Sequence, residues 1–177
     1  MAKAFELITT VTVGSGGQSS IDFTSIPSTY TDLLVAYSLR CTLTGGPYNF
    51  GDCAVRLNGD TGSNYNRFVA RAREGSAASG GTAGGTFIVL YEATAADASA
   101  NTFGTGQLYI SNYTSSKYKS VGIEGGTETQ NNTQVQTGFS SGLWKSTSVV
   151  NAIKLYEQNG TNFVQHSSAS LYGIKNS

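Results

Sequence analysis

Residues 32–40 read Asp32-Leu33-Leu34-Val35-Ala36-Tyr37-Ser38-Leu39-Arg40, and they show most clearly the pattern that decides the fold. The apolar residues Leu33, Val35, Tyr37 and Leu39 recur at every second position. Because successive side chains of a β-strand point to opposite faces, this period is typical of a strand with one buried face. An amphipathic helix would need apolar residues three and four positions apart instead.

The same period of two runs through much of the chain. Residues 5–13 place Phe5, Leu7, Val11 and Val13 on one face of a second such strand. Further strands are predicted at residues 19–23, 54–57, 68–73, 86–92, 103–110, 119–128, 135–143, 149–157 and 163–174. About ten short strands at this spacing are typical of an all-β sandwich or barrel. The length of 177 residues predicts a single domain over residues 1–177.

Turn residues separate nearly all of these strands. Asn58-Gly59 and Asn159-Gly160 predict type I′ hairpin turns, whose two central residues need positive φ, and the second would join the last two strands. The small-residue stretch 75–85 and the Ala-rich stretch 92–101 are predicted as loops, because neither has an apolar stripe. We expect little helix, apart from a short turn within residues 141–147.

The composition excludes several classes of function. Charged residues make up 12% of the chain, about half of the usual ~25%, and Gly, Ser, Thr and Asn supply 77 of the 177 residues. The 11 basic and 11 acidic side chains form no basic cluster, so we expect no nucleic-acid partner. No apolar run approaches the roughly 18 residues of a membrane span. Because the N-terminus also lacks the apolar core of a signal peptide, we expect neither membrane insertion nor export.

The two cysteines leave two alternatives open. Cys41 and Cys53 flank the turn-rich residues 42–52 and could meet across a hairpin as a disulfide. Without an export signal, we favour two small buried thiols. Neither cysteine lies in a Cys-x-x-Cys motif or near the single histidine, so we predict no metal site and no cofactor.

Candidate catalytic residues are few, and we predict that the chain is not an enzyme. His166 is the one histidine, falls in a predicted strand and has no Gly-x-Ser-x-Gly motif beside it. Glu124 and Glu128 would share one strand face, as a glycosidase pair could, but solvated strand residues have the same spacing. Residues 58–64 are rich in oxygen ligands but lack the regular spacing of a calcium loop, so a turn stabilised by Asn and Asp side chains explains them better.

Aromatic residues in or beside predicted loops are the candidate partner-binding residues. Tyrosine and arginine are favoured at interface hot spots and as platforms for sugars, but tyrosine also suits the edges of strands. Both interpretations stay open at this point. The candidates are Tyr48, Phe50, Tyr65, Arg67 and Tyr113.

Several segments of the chain each correspond to a turn, a strand start or a strand end rather than to a catalytic motif, and together they span most of the chain. The segments are Val55-Arg56-Leu57-Asn58-Gly59-Asp60-Thr61-Gly62-Ser63-Asn64-Tyr65, Phe5-Glu6-Leu7-Ile8 followed by a Gly-Ser-Gly-Gly turn, Ile21-Asp22-Phe23-Thr24-Ser25-Ile26-Pro27, Tyr30-Thr31-Asp32-Leu33, Ile110-Ser111-Asn112-Tyr113 and Ala169-Ser170-Leu171-Tyr172-Gly173-Ile174-Lys175. In these segments the chain resembles virion proteins of tailed bacteriophages.

The resemblance implies a phage structural protein with a jelly-roll-like antiparallel β-sandwich. Such domains serve as capsid decoration (cement) proteins, which bind the outer surface of the shell formed by the major capsid protein, or as modules of tail fibres. The resemblance also implies a homo-oligomer, with a trimer as the family-level expectation. Such a protein is assembled in the host cytoplasm and located on the capsid surface of the virion.

Two other functions remain as alternatives to capsid decoration. A tail-fibre or receptor-binding module would recognise host-surface glycans through Tyr48, Tyr65, Arg67 or Tyr113. A sugar hydrolase would rest on the two glutamates of the predicted 119–128 strand alone. The contact elements that we expect are residues 1–4 and the loops 45–52 and 75–85, because exposed loops tolerate such roles.

Overall fold

The computed structural model describes residues 5–45, 49–73, 75–130 and 136–175. Within these ranges the chain forms twelve β-strands and no helix, which confirms the predicted all-β class. The strands lie in two antiparallel sheets, one of eight strands and one of four, which pack against each other as a sandwich.

The twelve strands are short and follow one another closely along the chain. They are β1 (Phe5–Thr12), β2 (Ser20–Phe23), β3 (Asp32–Leu39), β4 (Phe50–Leu57), β5 (Tyr65–Arg73), β6 (Ser76–Gly85), β7 (Ile88–Thr94), β8 (Gly104–Ile110), β9 (Lys119–Thr127), β10 (Gln136–Trp144), β11 (Ile153–Glu157) and β12 (Ser168–Ile174).

Eight of these strands have the nested pairing of a jelly roll. β1 pairs with β12, β2 with β11, β3 with β8 and β4 with β7, and every pair is antiparallel. The first and third pairs combine in the order β1-β12-β3-β8, and the second and fourth in the order β2-β11-β4-β7. Two four-stranded sheets wound in this way form a jelly-roll sandwich, so the expected architecture is confirmed.

Two inserted hairpins widen one sheet of the jelly roll and leave the other unchanged. The pair β5 and β6 follows β4, and the pair β9 and β10 follows β8. The larger sheet therefore continues past β8 in the order β9-β10-β5-β6. The smaller sheet ends at β7, which packs against β9, β10 and β5, so β6 lies beyond its edge.

The hydrophobic core lies between the sheets, where the apolar faces of the strands meet. Leu33, Val35, Tyr37 and Leu39 of β3 are all buried, as their alternation predicts. Full burial of a large apolar side chain contributes about 1.5–3 kcal/mol, so this face is a major source of stability. The smaller sheet contributes Ile21, Phe23, Val55, Leu57, Leu90, Ile153 and Leu155.

β1 differs from its predicted burial. Phe5 and Leu7 are 56% and 55% exposed, because β1 is an edge strand and they lie on the side away from the core. The register with β12 shifts after Leu7, which makes Ile8 the extra residue of a β-bulge. Beyond this bulge the chain turns Val11 towards the core, and Val13 is fully buried.

The prediction of a loop at residues 75–85 is wrong. Ser76–Gly85 forms β6, which pairs with β5 along nearly its whole length. Because β5 supplies the backbone hydrogen-bond partners, β6 needs no apolar face of its own to be held in the sheet. Its side chains are small and mostly exposed, which explains why the sequence shows no period of two there.

Both predicted hairpin turns connect different sheets. Asn58 and Gly59 have φ angles of 52° and 68°, as a type I′ turn requires, but β4 and β5 lie in separate sheets. Asn159-Gly160 lies between β11 and β12, which also belong to separate sheets, so the last two strands do not pair. Of these two residues only Gly160 has a positive φ, of 79°, so the predicted type I′ turn is wrong there. The short turn expected in residues 141–147 is wrong as well, since β10 continues as a strand through Trp144.

A row of three glycines brings the two sheets into close contact. Gly106 of β8, Gly125 of β9 and Gly138 of β10 are neighbours in the cross-strand register. A Cβ atom at any of them would lie closer than 3.0 Å to an atom of Tyr37 or Tyr91, a separation that real Cβ atoms essentially never show. The two tyrosine side chains thus occupy the space that larger residues in this row would fill.

Tyr91 connects the smaller sheet to the inserted strands through this row. It belongs to β7, and its hydroxyl donates to the carbonyl oxygen of Ala70 in β5 at 2.6 Å. The carbonyl oxygen of Phe139 in β10 lies 3.2 Å from the same hydroxyl. A buried polar atom that finds such partners avoids a desolvation cost of about 1–3 kcal/mol.

We expect Gly138→Ala to destabilise the fold, because the added methyl group would collide with Tyr91 and with the carbonyl oxygen of Ala70. Overpacking of this kind costs about 1–3 kcal/mol and more where backbone must move. Urea denaturation gives the free energy of unfolding. Gly122→Ala in β9 is the matched control, since a Cβ there has no atom within 4 Å. Equal losses in both variants would contradict the close contact.

Candidate functional site

The side of the eight-stranded sheet that points away from the smaller sheet is a broad surface with very little charge, which we call the outer face. Cross-strand register places alternate residues of β3, β8, β9, β10, β5 and β6 on it. Most of them are Gly, Ala, Ser or Thr. The larger side chains in its middle rows are Leu34, Phe68, Gln107, Tyr109, Glu124 and Phe139.

In the middle rows of the outer face, from β3 across to β6, Glu124 is the one charged residue. Its carboxylate accepts a hydrogen bond from Gln107 Nε2 on the neighbouring strand β8. Three aromatic side chains project from the same face, since Phe68, Tyr109 and Phe139 are 43%, 39% and 56% exposed. The outer face therefore combines apolar rings with small neutral residues.

The phenol of Tyr109 stays neutral on this face. Tyr109 donates to Asp32 Oδ2 at 2.5 Å, at the start of β3. This hydrogen bond, together with burial and the charge of Asp32, raises the pKa of Tyr109 to about 12. Asp32 itself is buried and also accepts from the backbone N–H of Asn112 at 2.7 Å. The carboxylate is therefore used inside the protein and adds no charge to the surface.

The outer face is large enough for a stable protein–protein contact. With strands about 4.8 Å apart and a rise of about 3.3 Å per residue, eight strands of about seven residues cover roughly 900 Å². A standard interface buries about 800 Å² on each partner. Interface cores are depleted in charged residues and enriched in aromatic ones, which is the composition found here.

The structure buries three of the five predicted partner-binding residues. Tyr65 and Tyr113 are 0% exposed, and Phe50 is 6% exposed. The hydroxyls of the two tyrosines form hydrogen bonds with backbone groups inside the protein. These three rings are parts of the core, so the prediction that they contact a partner is corrected. Tyr48 lies outside the described residues.

Arg67 lies in a cavity, which we call the basic cleft. The cleft has a volume of about 380 Å³ and opens between the inserted strands and β7. It is lined by Arg67 and Arg71 of β5, Tyr91 of β7 and Gln136 of β10, and small residues of β6 form one wall. Asp52 is the one acidic residue among the described residues that line it.

Arg67 is held in the basic cleft from two sides. Its guanidinium carbon lies 4.1 Å from the centre of the Phe87 ring, and its Nη1 donates to the carbonyl oxygen of Phe87 at 3.5 Å. Burial lowers the pKa of Arg67, although a guanidinium stays protonated in proteins. Because a guanidinium has five N–H donors, Arg67 retains donors beyond this one bond.

Arg40 organises the Ala-rich loop that precedes β8. Its Nη1 donates to the carbonyl oxygens of Ser99 and Thr102 at 2.8 and 3.0 Å, and its Nη2 donates to those of Ala96 and Ala98 at 3.1 and 3.0 Å. Sequence reasoning predicts this loop but misses its arginine, because a charged residue at the end of an apolar strand looks solvent-exposed. In the structure Arg40 is buried and fixes the loop.

The cysteines are two buried thiols, as favoured from the sequence. Burial raises the pKa of the Cys41 thiol, which therefore stays protonated near pH 7. The buried carboxylate of Glu157 lies nearby and accepts hydrogen bonds from the backbone N–H groups of Asn159 and Thr161 at 2.8 and 3.1 Å. Glu157 thus stabilises the turn after β11.

The candidate catalytic residues take separate places. His166 is exposed on a turn with φ of 72°, so its predicted strand position is wrong. Glu124 lies on the outer face, whereas Glu128 follows the end of β9 and accepts from the backbone N–H of Gln130. In the part of the chain that the structure describes, no three His, Cys, Asp or Glu side chains are grouped as a metal site would require.

The oxygen-rich residues 58–64 form a turn around Asp60. Its carboxylate accepts from Trp144 Nε1 at 2.7 Å, from Asn64 Nδ2 at 3.0 Å and from the backbone N–H of Gly62 at 2.8 Å. Partial burial alone would raise the pKa of Asp60, but these three hydrogen bonds lower it below its ordinary value. The predicted turn is confirmed.

No protein-family model, curated protein or solved structure was found to match this chain. The residues that the structure describes include no helix that is both long and apolar enough to cross a membrane. The function is therefore argued from the outer face and the basic cleft.

We expect Asp60→Asn to lower the free energy of unfolding by about 1–2 kcal/mol at pH 7, because hydrogen bonds to a charged acceptor are lost or weakened. The folded-state pKa is depressed, so this contribution is present at neutral pH and is lost as the pH falls below about 4. Urea denaturation of both proteins between pH 7 and pH 3 measures the difference.

Asp22→Asn is the matched control for this comparison. Asp22 forms a surface ion pair with Lys154 at 3.6 Å, and such pairs contribute about 0–1 kcal/mol. A gap between Asp60→Asn and the unchanged protein that stays constant down to pH 3 would contradict the role of the Asp60 carboxylate.

Proposed function

We propose that this chain is a structural protein of a tailed-bacteriophage virion, which decorates the capsid by binding the outer surface of the major capsid protein shell. The observation that carries the proposal is the outer face of the eight-stranded sheet. It is nearly uncharged, it presents three aromatic side chains, and its area is comparable to one side of a standard interface.

Two further observations support the same class of protein. The segments quoted above resemble tailed-phage virion proteins, and the jelly-roll sandwich is common in viral capsid domains. The fold alone would be an analogy, since one fold serves many functions. The proposal therefore depends on the surface and not on the topology. The role requires no catalytic group, cofactor, nucleic acid or membrane.

Decoration stabilises a shell by mass action. A protein that binds only the assembled shell stabilises it by RT ln(1 + [L]/Kd) at each site, and many copies add up over one particle. We propose that the copies act as a homo-oligomer, a trimer, which is assembled in the host cytoplasm and is located on the capsid surface. Low charge leaves little repulsion between neighbouring copies.

The basic cleft favours a second candidate function, a tail-fibre or receptor-binding module that recognises host-surface glycans. Among the described candidates for glycan contact, Arg67 is the one that lies in a cavity of ligand size. The burial of Tyr65 and Tyr113 removes these two rings as platforms on which a neutral sugar could stack. This candidate therefore depends on the arginines of the basic cleft.

We expect Ser141→Lys to weaken binding to capsids stripped of accessory proteins by at least tenfold. Ser141 is exposed on β10 in the outer face, and a lysine there would have to be desolvated on binding. Quantitative co-sedimentation with stripped capsids measures the affinity and the copy number per particle. We expect saturation at hundreds of copies and shells that survive more heating.

Ser15→Lys is the matched control, because it adds the same charge on the exposed turn between β1 and β2. We expect its affinity to stay within twofold of that of the unchanged protein. The absence of binding by the unchanged protein, or binding of only a handful of copies at a vertex or tail, would overturn capsid decoration. Equal losses of capsid affinity in the two lysine variants would contradict the outer face as the contact surface.

A further inference from the structure

The basic cleft is built by the two inserted hairpins and not by the jelly roll alone. β5 and β6 extend past β7 at the edge of the smaller sheet, and the step between them forms the cavity. Arg67 and Arg71 lie four residues apart on β5, so their side chains point to the same side of the sheet. Two guanidinium groups thus line one cavity of about 380 Å³.

Gln136 adds to this cavity a hydrogen-bond donor that has no partner among the described residues. The residue is 3% exposed, and it lines the basic cleft at the start of β10. Arg73 Nε donates to its Oε1, which fixes the orientation of the amide. Its Nε2 is buried and has no hydrogen-bond partner among the described residues. An unpartnered buried donor costs about 1–3 kcal/mol, so a ligand acceptor at this position would recover that free energy.

The charge and the donor balance of the basic cleft select the class of ligand. Arg67 provides N–H donors to the cavity, and the one acid among the described lining residues, Asp52, is exposed at the rim. Guanidinium and amide N–H groups together favour a carboxylate, which accepts several hydrogen bonds at once. Thr82 of β6 lies opposite Arg67 in the cross-strand register, lines the cavity and provides a hydroxyl group.

We propose that the basic cleft binds an acidic saccharide, with Arg67 and Gln136 receiving its carboxylate and with Asp52 and Thr82 receiving its sugar hydroxyls. The volume lies within the range of about 300–1,000 Å³ for ligand sites and exceeds what a bare inorganic anion fills. This inference does not require capsid decoration. It deepens the glycan-binding candidate by naming its ligand class.

Isothermal titration calorimetry with digalacturonic acid and with its dimethyl ester tests the proposal. The two ligands share the sugar rings and differ in the carboxylate charges. We expect the acid to bind at least tenfold more tightly than the ester. Inorganic sulfate serves as a third ligand, and we expect it to bind at least tenfold more weakly than the acid. Equal binding of acid and ester, or of acid and sulfate, would overturn the proposal.

Two cleft variants locate the site. Gln136→Glu keeps an acceptor for Arg73 but replaces the unpartnered donor by a negative charge, and Arg67→Gln removes one cation. We expect each to weaken binding of the acid by at least tenfold. Arg56→Gln is the matched control, since Arg56 also stacks on an aromatic ring, that of Tyr156 at 4.7 Å, but does not line the basic cleft. Equal losses in all three variants would contradict the site.

These experiments can reject one of the two functional proposals without rejecting the other. Capsid binding is measured with stripped shells and depends on Ser141 of the outer face, whereas saccharide binding is measured on the isolated chain and depends on the basic cleft. A variant such as Gln136→Glu should leave the affinity for capsids within twofold. A Gln136→Glu chain that loses capsid binding but keeps the saccharide affinity would contradict the separation and the cleft assignment together.

Discussion

The close contact between two tyrosines and a row of glycines is the constraint on which the shape of this molecule depends. A two-stranded hairpin is at most marginally stable by itself, so each inserted hairpin needs a neighbour. Tyr91 reaches from the smaller sheet beneath β9 and β10 and bonds to the backbone of Ala70 in β5. This reach is possible because Gly125 and Gly138 have no side chains. The jelly roll can therefore support an eight-stranded sheet.

The widened sheet has consequences for both candidate sites. Its outer face becomes a continuous surface of roughly 900 Å², since eight strands lie side by side with spacings of about 4.8 Å. Its far end extends past the smaller sheet and leaves the step that forms the basic cleft. A jelly roll without the inserted hairpins would have neither feature, so both surfaces depend on the same packing.

Several charged side chains are used inside the protein, which makes its surface even less charged than the composition suggests. Arg40 bonds to four backbone carbonyl groups of one loop. Lys119 is fully buried, and its Nζ donates to the carbonyl oxygens of Ser115 and Lys117. Burial lowers the pKa of Lys119. Together with the buried Glu157 and Asp32, these residues leave a surface suited to contacts rather than to repulsion.

The period of two predicts most strands and the all-β class, because it depends only on which side chains are buried. It misses β6, whose Gly, Ala and Ser residues are held by backbone bonds to β5 and carry no burial signal. It also cannot predict which strands pair, so the Asn58-Gly59 turn is recognised but not its change of sheet. Site residues are harder to predict than strands, as Tyr65 shows.

Tyr65 begins β5 beside a polar turn, a position that is typical of exposed tyrosines, yet its ring is buried and stacks on Trp144 at 6.5 Å. The direction of a side chain at the first residue of a strand depends on register, and register is set by partners far away in the sequence. The basic cleft was beyond prediction for the same reason, because Arg67 and Gln136 meet only when β5 pairs with β10.

Hydroxyl-radical footprinting of the protein, free and bound to stripped capsids, tests most directly the claim that the outer face is the contact surface. The account predicts that Phe68, Tyr109 and Phe139, which are exposed in the free protein, lose most of their reactivity on binding. Tyr118, which is 55% exposed outside the strands, should keep its reactivity. Unchanged reactivity of the three outer-face rings in the bound protein would contradict the account.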